Sequence, residues 1–331
     1  MGQTFQAGID LGGSKIYVLI RSDKGEIVAT SRGPTPRGVS FEQIAAALKH
    51  HLDTALERSA LTMADIDAVG LGVPGPVDAG GSVAVMPNLD LKNVPVGLTV
   101  EKILEKSVHV ENDVNLAVLA EFHLGAGKGV SSLYGIVPGT GVGGGYVVDG
   151  KIVKGKNYTA GEIGHMVVKL DGPVCGCGQR GCLEALVGKV ALVRELRAAR
   201  ERGEDSILMD SAGDDFLTVG AARLKEGWEK GDRLTRALLT EQARVLGVAV
   251  ANVVNLTGVE GVVIGGRVFE AMGDVLLPKV KEMASRHAIG GGMEGVRLVV
   301  SALKEKGVAL GATLLATLSA ATEGPPPGDS S

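Results

Sequence analysis

The three cysteines of the 331-residue chain all lie within eight residues, in the stretch CGCGQRGC. Cys175, Cys177 and Cys182 are an odd number of thiols, so they cannot all pair as disulfides, and glycines bracket them on one short loop. Thiolates are the ligands that a structural zinc ion prefers, with four ligands to a site. The spacing is not the usual pair separated by two residues. Inert reduced thiols therefore remain the alternative to a zinc site.

His165 is the natural candidate for the fourth zinc ligand, because it precedes the cysteine loop by only ten residues, in GEIGHMVV. A lone histidine is more often a structural residue than a ligand, but three nearby thiols favour coordination. A closed shell of four protein ligands leaves no position for a reactive water. The metal is therefore predicted to organise the loop rather than to perform chemistry.

Two glycine turns stand between predicted strands, in DLGGSK and PGTGVGGG, and glycine is the compositional outlier, with 50 residues. The second turn matches G-x-G-x-x-G at Gly139, Gly141 and Gly144. A dinucleotide-binding turn opens a helix, whereas here a strand continues, and the sequence contains no P-loop motif. The two turns are thus either plain β-turns or places where backbone N–H groups approach an anion closely.

In the second interpretation the two turns hold a polyphosphate, and Asp10 holds Mg²⁺ directly or through water. The residues assigned to phosphate binding are Asp10, Gly12, Gly13, Ser14, Lys15, Gly139, Thr140 and Gly141. Gly265 and Gly266 follow another predicted strand and could meet the adenosine end of a nucleotide. On their own they indicate no more than a strand-to-helix turn.

The elements around these turns repeat along the chain. Residues 5–30 and 133–154 both predict a strand, a glycine turn, a strand, a polar turn and a strand. Apolar residues recur at helical intervals in each half: Ile44, Leu48, Leu52 and Leu56 in the first, and Leu234, Leu238 and Val245 in the second. Hairpins are common, so chance similarity is the alternative to two related α/β lobes with a cleft between them.

Composition excludes several classes of partner. A net charge of −4, with 45% hydrophobic and 22% charged residues, gives no electrostatic reason to bind nucleic acid or an anionic membrane. The basic run VRELRAARERGED alternates with acids and predicts a solvated helix face. We expect a cytoplasmic protein, because the N-terminus does not resemble a signal peptide and no stretch is an uninterrupted apolar span.

Five motifs, in order, resemble those of the ROK family of sugar kinases and sugar-responsive repressors: DLGGSK, VENDVNLAVLAE, GTGVGGG, AGEIGH and CGCGQRGCLE. The resemblance covers roughly residues 5–320, and several motifs in register are far more specific than one. It implies a two-lobed, actin-like (ribonuclease-H-like) α/β fold with a cleft between the lobes. The predicted N-terminal lobe is 1–115 plus 305–321, the C-terminal lobe with the zinc loop is 116–304, and 322–331 is a disordered tail.

The resemblance also implies ATP-dependent phosphorylation of a hexose at its 6-hydroxyl, with glucose the leading substrate. An N-acetylhexosamine, mannose or fructose kinase and a sugar-sensing regulator are the alternatives. A regulator would place a helix-turn-helix domain ahead of the first strand, which begins here at about residue 5. Implied partners are the hexose, ATP with Mg²⁺, and further copies of the chain in a dimer or tetramer. Arg267 departs from the family pattern, where many relatives have a glycine.

Roles for particular residues follow from the same resemblance. Asn112 and Asp113 would bind the sugar, with Asp113 as the general base, and Glu162, His165 and Glu184 would bind its other hydroxyls. From the sequence alone, a helix N-cap is the favoured interpretation of Asp113 and exposed surface residues that of the two glutamates, and the resemblance reverses this order. The histidine would bind zinc through one ring nitrogen and donate to the sugar through the other.

Overall fold

The computed structural model describes residues 3–210 and 216–323 of the chain. They form two compact units. Unit 1 comprises residues 3–120, 154–159 and 305–323, and unit 2 comprises the described residues of 121–153 and 160–304. The lobe boundaries at 115 and 305 stay predictions. The predicted tail, 322–331, lies outside the described residues from position 324 onward.

The elements alternate between strands and helices along both units. The strands are β1 (Phe5–Leu11), β2 (Lys15–Ser22), β3 (Ile27–Pro34), β4 (Ile66–Val73), β5 (Val83–Met86), β6 (Leu91–Val94), β7 (Val108–Asn112), β8 (Ser132–Pro138), β9 (Val142–Val148), β10 (Lys151–Ile152), β11 (Gly261–Ile264) and β12 (Arg297–Val300). The helices are α1 (Phe41–Ser59), α2 (Val96–Leu104), α3 (Asp113–Leu124), α4 (Lys189–Glu201), α5 (Ile207–Asp210), α6 (Ala221–Glu229), α7 (Arg233–Thr257), α8 (Arg267–His287) and α9 (Gly307–Glu323).

Each unit is built on a five-stranded sheet of the same topology. The strand order is β3-β2-β1-β4-β7 in unit 1 and β10-β9-β8-β11-β12 in unit 2. In both sheets the first three strands along the chain pair antiparallel, and the last two add in parallel. The repeat predicted from the glycine turns is therefore confirmed, because the agreement extends beyond the hairpins to the parallel strands.

Helix α1 covers one part of the unit 1 sheet, against β2 and β3. Its predicted apolar positions Ile44, Leu48, Leu52 and Leu56 are all buried, which confirms the helical periodicity. The oxygen of Gln43 accepts the N–H of Ser40 at the start of the helix, one half of a capping box.

Glycines let helix α9 lie directly on the backbone of the unit 1 sheet. A Cβ atom added at Gly8 in β1 would lie 2.0 Å from the carbonyl oxygen of Ala309, and one at Gly70 in β4 would lie 2.0 Å from that of Ala312. No side chain fits in this space. Part of the glycine excess is thus explained by packing and not by binding.

Helix α7 packs against α8 and α6 in unit 2. Of its predicted core positions, Leu234 is buried, but Leu238 and Val245 are only partly buried, whereas their neighbours Leu239 and Leu246 are buried. Neighbours on more than one side bury a wide stripe, so no single line of residues defines the core face. Among the described residues, α7 is also the one helix apolar and long enough to cross a bilayer, but half of that stretch is buried, as in core helices.

Candidate functional site

The first glycine turn, between β1 and β2, is closed and braced by backbone hydrogen bonds. The N–H of Gly12 donates to the carbonyl oxygen of Lys15 at 2.9 Å, and the hydroxyl of Thr35 donates to the carbonyl oxygen of Gly12 at 2.7 Å. A Cβ atom on Gly13 would lie 2.7 Å from Cβ of Asn88. Thr35 and Asn88 were missed by sequence reasoning, because they reach the turn from distant parts of the chain.

Lys15 leaves this turn as the first residue of β2. Its ammonium group lies 3.4 Å from a carboxylate oxygen of Glu305 and 5.4 Å from the centre of the Tyr17 ring. Both charged side chains are substantially exposed, and ion pairs of this kind contribute little to stability. The pair therefore holds the lysine near the turn. Because the pair is weak, Lys15 could leave Glu305 and bind a phosphate instead at little cost in free energy. Ser14, beside it, is exposed.

Asp10 and Asp113 form a pair of like charges in unit 1. Burial, and after it the negative charge of Asp113, raise the pKa of Asp10 to about 7, and Lys15 opposes the rise. Two carboxylates that repel each other are stabilised by a cation between or beside them. Asp10 is therefore suited to a divalent cation such as Mg²⁺, which prefers oxygen ligands.

The start of helix α3 divides the work of capping between two neighbours. Oδ1 of Asn112 accepts the backbone N–H of Val114 at 2.9 Å and that of Asn115 at 3.1 Å, which is the geometry of an N-cap. Asp113, half-buried, is the first helical residue, and its Oδ1 accepts the N–H of Val114 at 2.8 Å. The helix N-cap is therefore Asn112 and not Asp113.

The second glycine turn, between β8 and β9, is fixed to the start of α4. The N–H of Lys189 donates to the carbonyl oxygen of Gly139 at 3.0 Å, and that of Val190 donates to the carbonyl oxygen of Thr140 at 3.3 Å. The N–H of Gly139 donates to the carbonyl oxygen of Gly141 at 2.8 Å. The turn thus satisfies two N–H groups at the helix end, and its own conformation is fixed in return.

Gly265 and Gly266 join β11 to α8 beside the same turn. Gly266 has a φ of +89°, and a Cβ atom on it would lie 2.1 Å from the carbonyl oxygen of Pro138, the last residue of β8. The N–H of Gly265 donates to the carbonyl oxygen of Ile136 at 2.9 Å. The structure therefore brings the third glycine set next to the second. Arg267, the first residue of α8, is exposed.

The segment AGEIGH packs against β9 through glycines. A Cβ atom on Gly144 would lie 2.3 Å from the carbonyl oxygen of Gly161, and one on Gly164 would lie 1.9 Å from that of Val142. The last glycine of the G-x-G-x-x-G match is thus required by packing. Glu162 on this segment is half-buried, and burial raises its pKa, which His165 lowers.

The three cysteines and the histidine meet in one cluster in unit 2. The ligand atoms of His165, Cys175, Cys177 and Cys182 all lie within 4.8 Å of one another. Sγ of Cys175 is 3.7 Å from Nδ1 of the histidine, and the other two sulfurs are 3.8 Å apart. Sulfurs on a tetrahedral zinc, with bonds of about 2.3 Å, lie about 3.8 Å apart. The donor set and its spacing therefore fit a structural metal ion.

Glu184 connects the cysteine loop to the second glycine turn. Its Oε2 accepts the backbone N–H of Val142 at 2.9 Å, and its Oε1 faces the thiol of Cys175 at 3.5 Å. A Cβ atom on Gly141 would lie 2.1 Å from Oε2, so only glycine leaves room for this carboxylate. Glu184 and Glu162 are both half-buried, so the alternative of exposed surface glutamates is wrong.

A cavity of about 580 Å³ opens beside these residues in unit 2. Its lining includes Thr140 of the glycine turn, Glu184, and the basic side chains of Lys189 and Arg197. The wall of the cavity carries both charges, with Glu184 and Glu201 beside Lys189, Arg194 and Arg197, so it offers hydrogen-bond acceptors as well as cationic groups to a polar ligand.

Comparison with known proteins identifies the family. The model of the ROK family matches residues 6–318. The chain belongs to the ROK family. It is 33% identical to a glucokinase of Thermotoga maritima, over 92% of this chain and 95% of that protein. It is also 29% identical to a xylose repressor of Caldicellulosiruptor bescii, over 92% of this chain and 76% of the repressor.

A solved ROK glucokinase gives the fold. The structure of the Streptomyces griseus glucokinase in complex with glucose and AMPPNP is similar with a TM-score of 0.80 and 31% identity, covering 96% of this chain and all of that one. The mixed sheets and their helices thus have the actin-like α/β fold that the motifs predicted. As a ROK protein, the chain is similar to both sugar kinases and a repressor.

Proposed function

We propose that this ROK protein is an ATP-dependent hexose kinase that phosphorylates the 6-hydroxyl, with glucose as its substrate. The observation that carries the proposal is the division of labour at the start of α3. Asn112 caps the helix, so Asp113 is not needed as the cap and can serve as a base. The similarity to glucokinases at 31–33% identity supports it.

The chemistry follows from the reactants. A sugar hydroxyl is a poor nucleophile, so transfer of the γ-phosphoryl group needs alignment, charge neutralisation and a carboxylate near the hydroxyl proton. In the proposal the oxygen of the 6-hydroxyl attacks phosphorus, ADP leaves, and Asp113 accepts the hydroxyl proton. Asn112, Glu162, His165 and Glu184 bind the other hydroxyls, which recognises a polyol through its hydrogen-bonding pattern.

The two glycine turns are proposed to bind the phosphates. The N–H groups of Gly12 and Gly139 close the two turns, so the phosphates are proposed to meet the other backbone N–H groups of Gly12–Lys15 and Gly139–Gly141. Gly265 and Gly266 are proposed to receive the adenosine end. Mg²⁺ arrives with ATP and neutralises phosphate charge, and Asp10 is its proposed protein ligand.

We assign one structural zinc ion to His165 and the three cysteines. Coordination through Nδ1, which faces Cys175, fixes the tautomer and leaves Nε2–H to donate to a sugar hydroxyl. When bound, the ion supplies a rigid cross-link rather than a reactive water. It thereby holds Glu184, which directly follows the loop, in position.

The proposal includes a cytoplasmic protein that forms a homo-oligomer and does not bind nucleic acid or membrane. The second candidate function is a sugar-sensing regulator, which the 29% identity to a xylose repressor favours. A regulator would bind sugar without transferring phosphate.

A coupled assay across glucose, mannose, fructose and N-acetylglucosamine, each with ATP, ADP or polyphosphate, tests the proposal. We expect ATP-dependent transfer to glucose at the highest kcat/KM. Sugar binding by calorimetry without phosphorylation of any sugar in the panel would instead support the regulator.

A further inference from the structure

Residues 154–159 form a short segment between β10 and the AGEIGH motif, here called the strap. The strands just before it belong to the unit 2 sheet, but the strap itself packs with unit 1. Along the chain it leads directly to Glu162. The strap is therefore held by residues of unit 1.

The strap is attached through an ion pair. The ammonium group of Lys154 lies 2.6 Å from Oε2 of Glu111, whose side chain is only 2% exposed, whereas that of the lysine is 39% exposed. Moving a carboxylate out of water is costly unless an opposite charge accompanies it. Lys154 supplies that counter-charge from a partly exposed position.

The other oxygen of Glu111 extends the contact to the proposed catalytic residue. Oε1 accepts the backbone N–H of Asn112 at 2.9 Å and the side-chain amide of Asn115 at 3.1 Å. The side-chain amide of Asn112 donates in turn to the carbonyl oxygen of Gly75 at 3.2 Å. The residue next to Asp113 is thus held from both its backbone and its side chain.

We propose that Lys154 is a positioning residue for phosphoryl transfer. Its ion pair with Glu111 fixes Asn112 and hence the adjacent Asp113, and the same pair anchors the strap. The expected change in kcat and KM rests on the proposed kinase function. The expected change in hydrogen exchange does not.

The structural consequence is tested by hydrogen exchange on the protein without ligands. Lys154→Met removes the charge and keeps the aliphatic stem, and Lys154→Arg keeps the charge. Lys156→Met is the matched control, because Lys156 is an exposed lysine of the same strap. We expect exchange of the strap and of the start of α3 to rise about 10-fold or more in Lys154→Met alone, since local opening follows local contacts.

The kinetic consequence is a change in particular constants. In Lys154→Met we expect kcat to fall and the hexose KM to rise, each by about 10-fold, because small misplacement of a reacting group is expensive. The KM for ATP is expected to stay within about twofold, and Lys154→Arg to recover most of the loss. A general loss of stability would instead leave the properties of the folded fraction unchanged.

Glu111→Gln keeps an oxygen that accepts the N–H of Asn112, and tests the pair from its other side. Combined with Lys154→Met, it removes both charges and leaves no unpaired buried carboxylate. We expect the double variant to be less impaired than the sum of the single ones.

Equal exchange in the Lys154→Met and Lys156→Met variants would overturn the inference, whatever the protein phosphorylates. So would equal losses in Lys154→Met and Lys154→Arg. The parent protein could transfer no phosphate while hydrogen exchange of the strap rises only in Lys154→Met. That outcome would contradict the kinase function but support the attachment of the strap through Lys154 and Glu111.

Discussion

Oε2 of Glu184 accepts the backbone N–H of Val142 at 2.9 Å, and this bond joins the cysteine loop to the second glycine turn. The sequence places the two residues 42 positions apart. A carboxylate that touches both the loop and the turn can affect sugar and nucleotide together.

Substitution of Glu184 is therefore expected to change two Michaelis constants. Glu184→Ala removes the acceptor for the turn, so we expect the KM for ATP to rise about 10-fold, the value of one charged hydrogen bond at about 1.4 kcal/mol. The hexose KM rises as well. Glu184→Gln keeps an acceptor oxygen, so it should leave the KM for ATP unchanged while it raises the KM for the hexose. Glu229→Ala, at an exposed position of α6, is the control, and an unchanged KM for ATP in Glu184→Ala would refute the link.

Zinc content tests the metal assignment. Metal analysis of the purified protein should return about one zinc per chain, the number that one four-ligand site takes. Cys177→Ser should lose the metal and weaken sugar binding about 10-fold or more, and nucleotide binding much less, since the ligand His165 is also proposed to touch the sugar. Gln179→Ala, exposed in the same loop, should keep the metal. A parent protein without zinc would end this part of the account.

Asp10 predicts an unusual dependence of stability on pH. Its pKa is about 7 in the folded chain, against 3.8 as a model value, so the folded state binds more protons between these values. Its contribution is therefore favourable at low pH and is lost as pH rises through 7. Asp10→Asn removes this loss, so we expect its free energy of unfolding, relative to the parent, to improve by about 2 kcal/mol between about pH 5.5 and about pH 8.

Urea unfolding of both proteins without nucleotide or Mg²⁺ measures this difference. Asp67→Asn, at an exposed position of β4, should show no such trend. A difference independent of pH would mean that Asp10 is ionised throughout and needs no cation.

Two glycines distinguish close packing from backbone conformation. Gly258 and Gly266 both have positive φ, but a Cβ atom on Gly258 meets nothing within 4 Å, whereas one on Gly266 would lie 2.1 Å from a carbonyl oxygen. We expect Gly258→Ala to cost about 1 kcal/mol of unfolding free energy and Gly266→Ala about 3 kcal/mol or more. Gly266→Ala should also weaken the binding of ATP. Equal costs in urea unfolding would show that β8 can move aside.

Local patterns predicted much of the molecule. The alternation of strands and turns gave both hairpin triplets, and the Asn-Asp pair before an apolar run gave the start of α3, because these signals lie within a few residues of each other. The loop of three thiols gave the cluster with His165 for the same reason.

Contacts between distant segments could not be predicted in this way. The contacts of Thr35 with the first glycine turn and of Lys154 with Glu111 follow from no motif, since each depends on where the chain returns. Glu184 belongs to a motif, but that motif did not predict its hydrogen bond to the second glycine turn. The buried face of α7 was misplaced because the periodicity does not reveal how many neighbours a helix has. Gly144 fits a binding motif but is required by the close approach of Gly161.

The central claim is that Asp113 is the base in hexose phosphorylation, and Asp113→Asn tests it most directly. Steady-state transfer from ATP to glucose is measured beside glucose binding by calorimetry, with Asp67→Asn as the control. We predict that turnover falls about 10²-fold or more, while the protein stays folded, because Asn112 still caps α3, and still binds glucose. Near-normal turnover in Asp113→Asn would contradict the account.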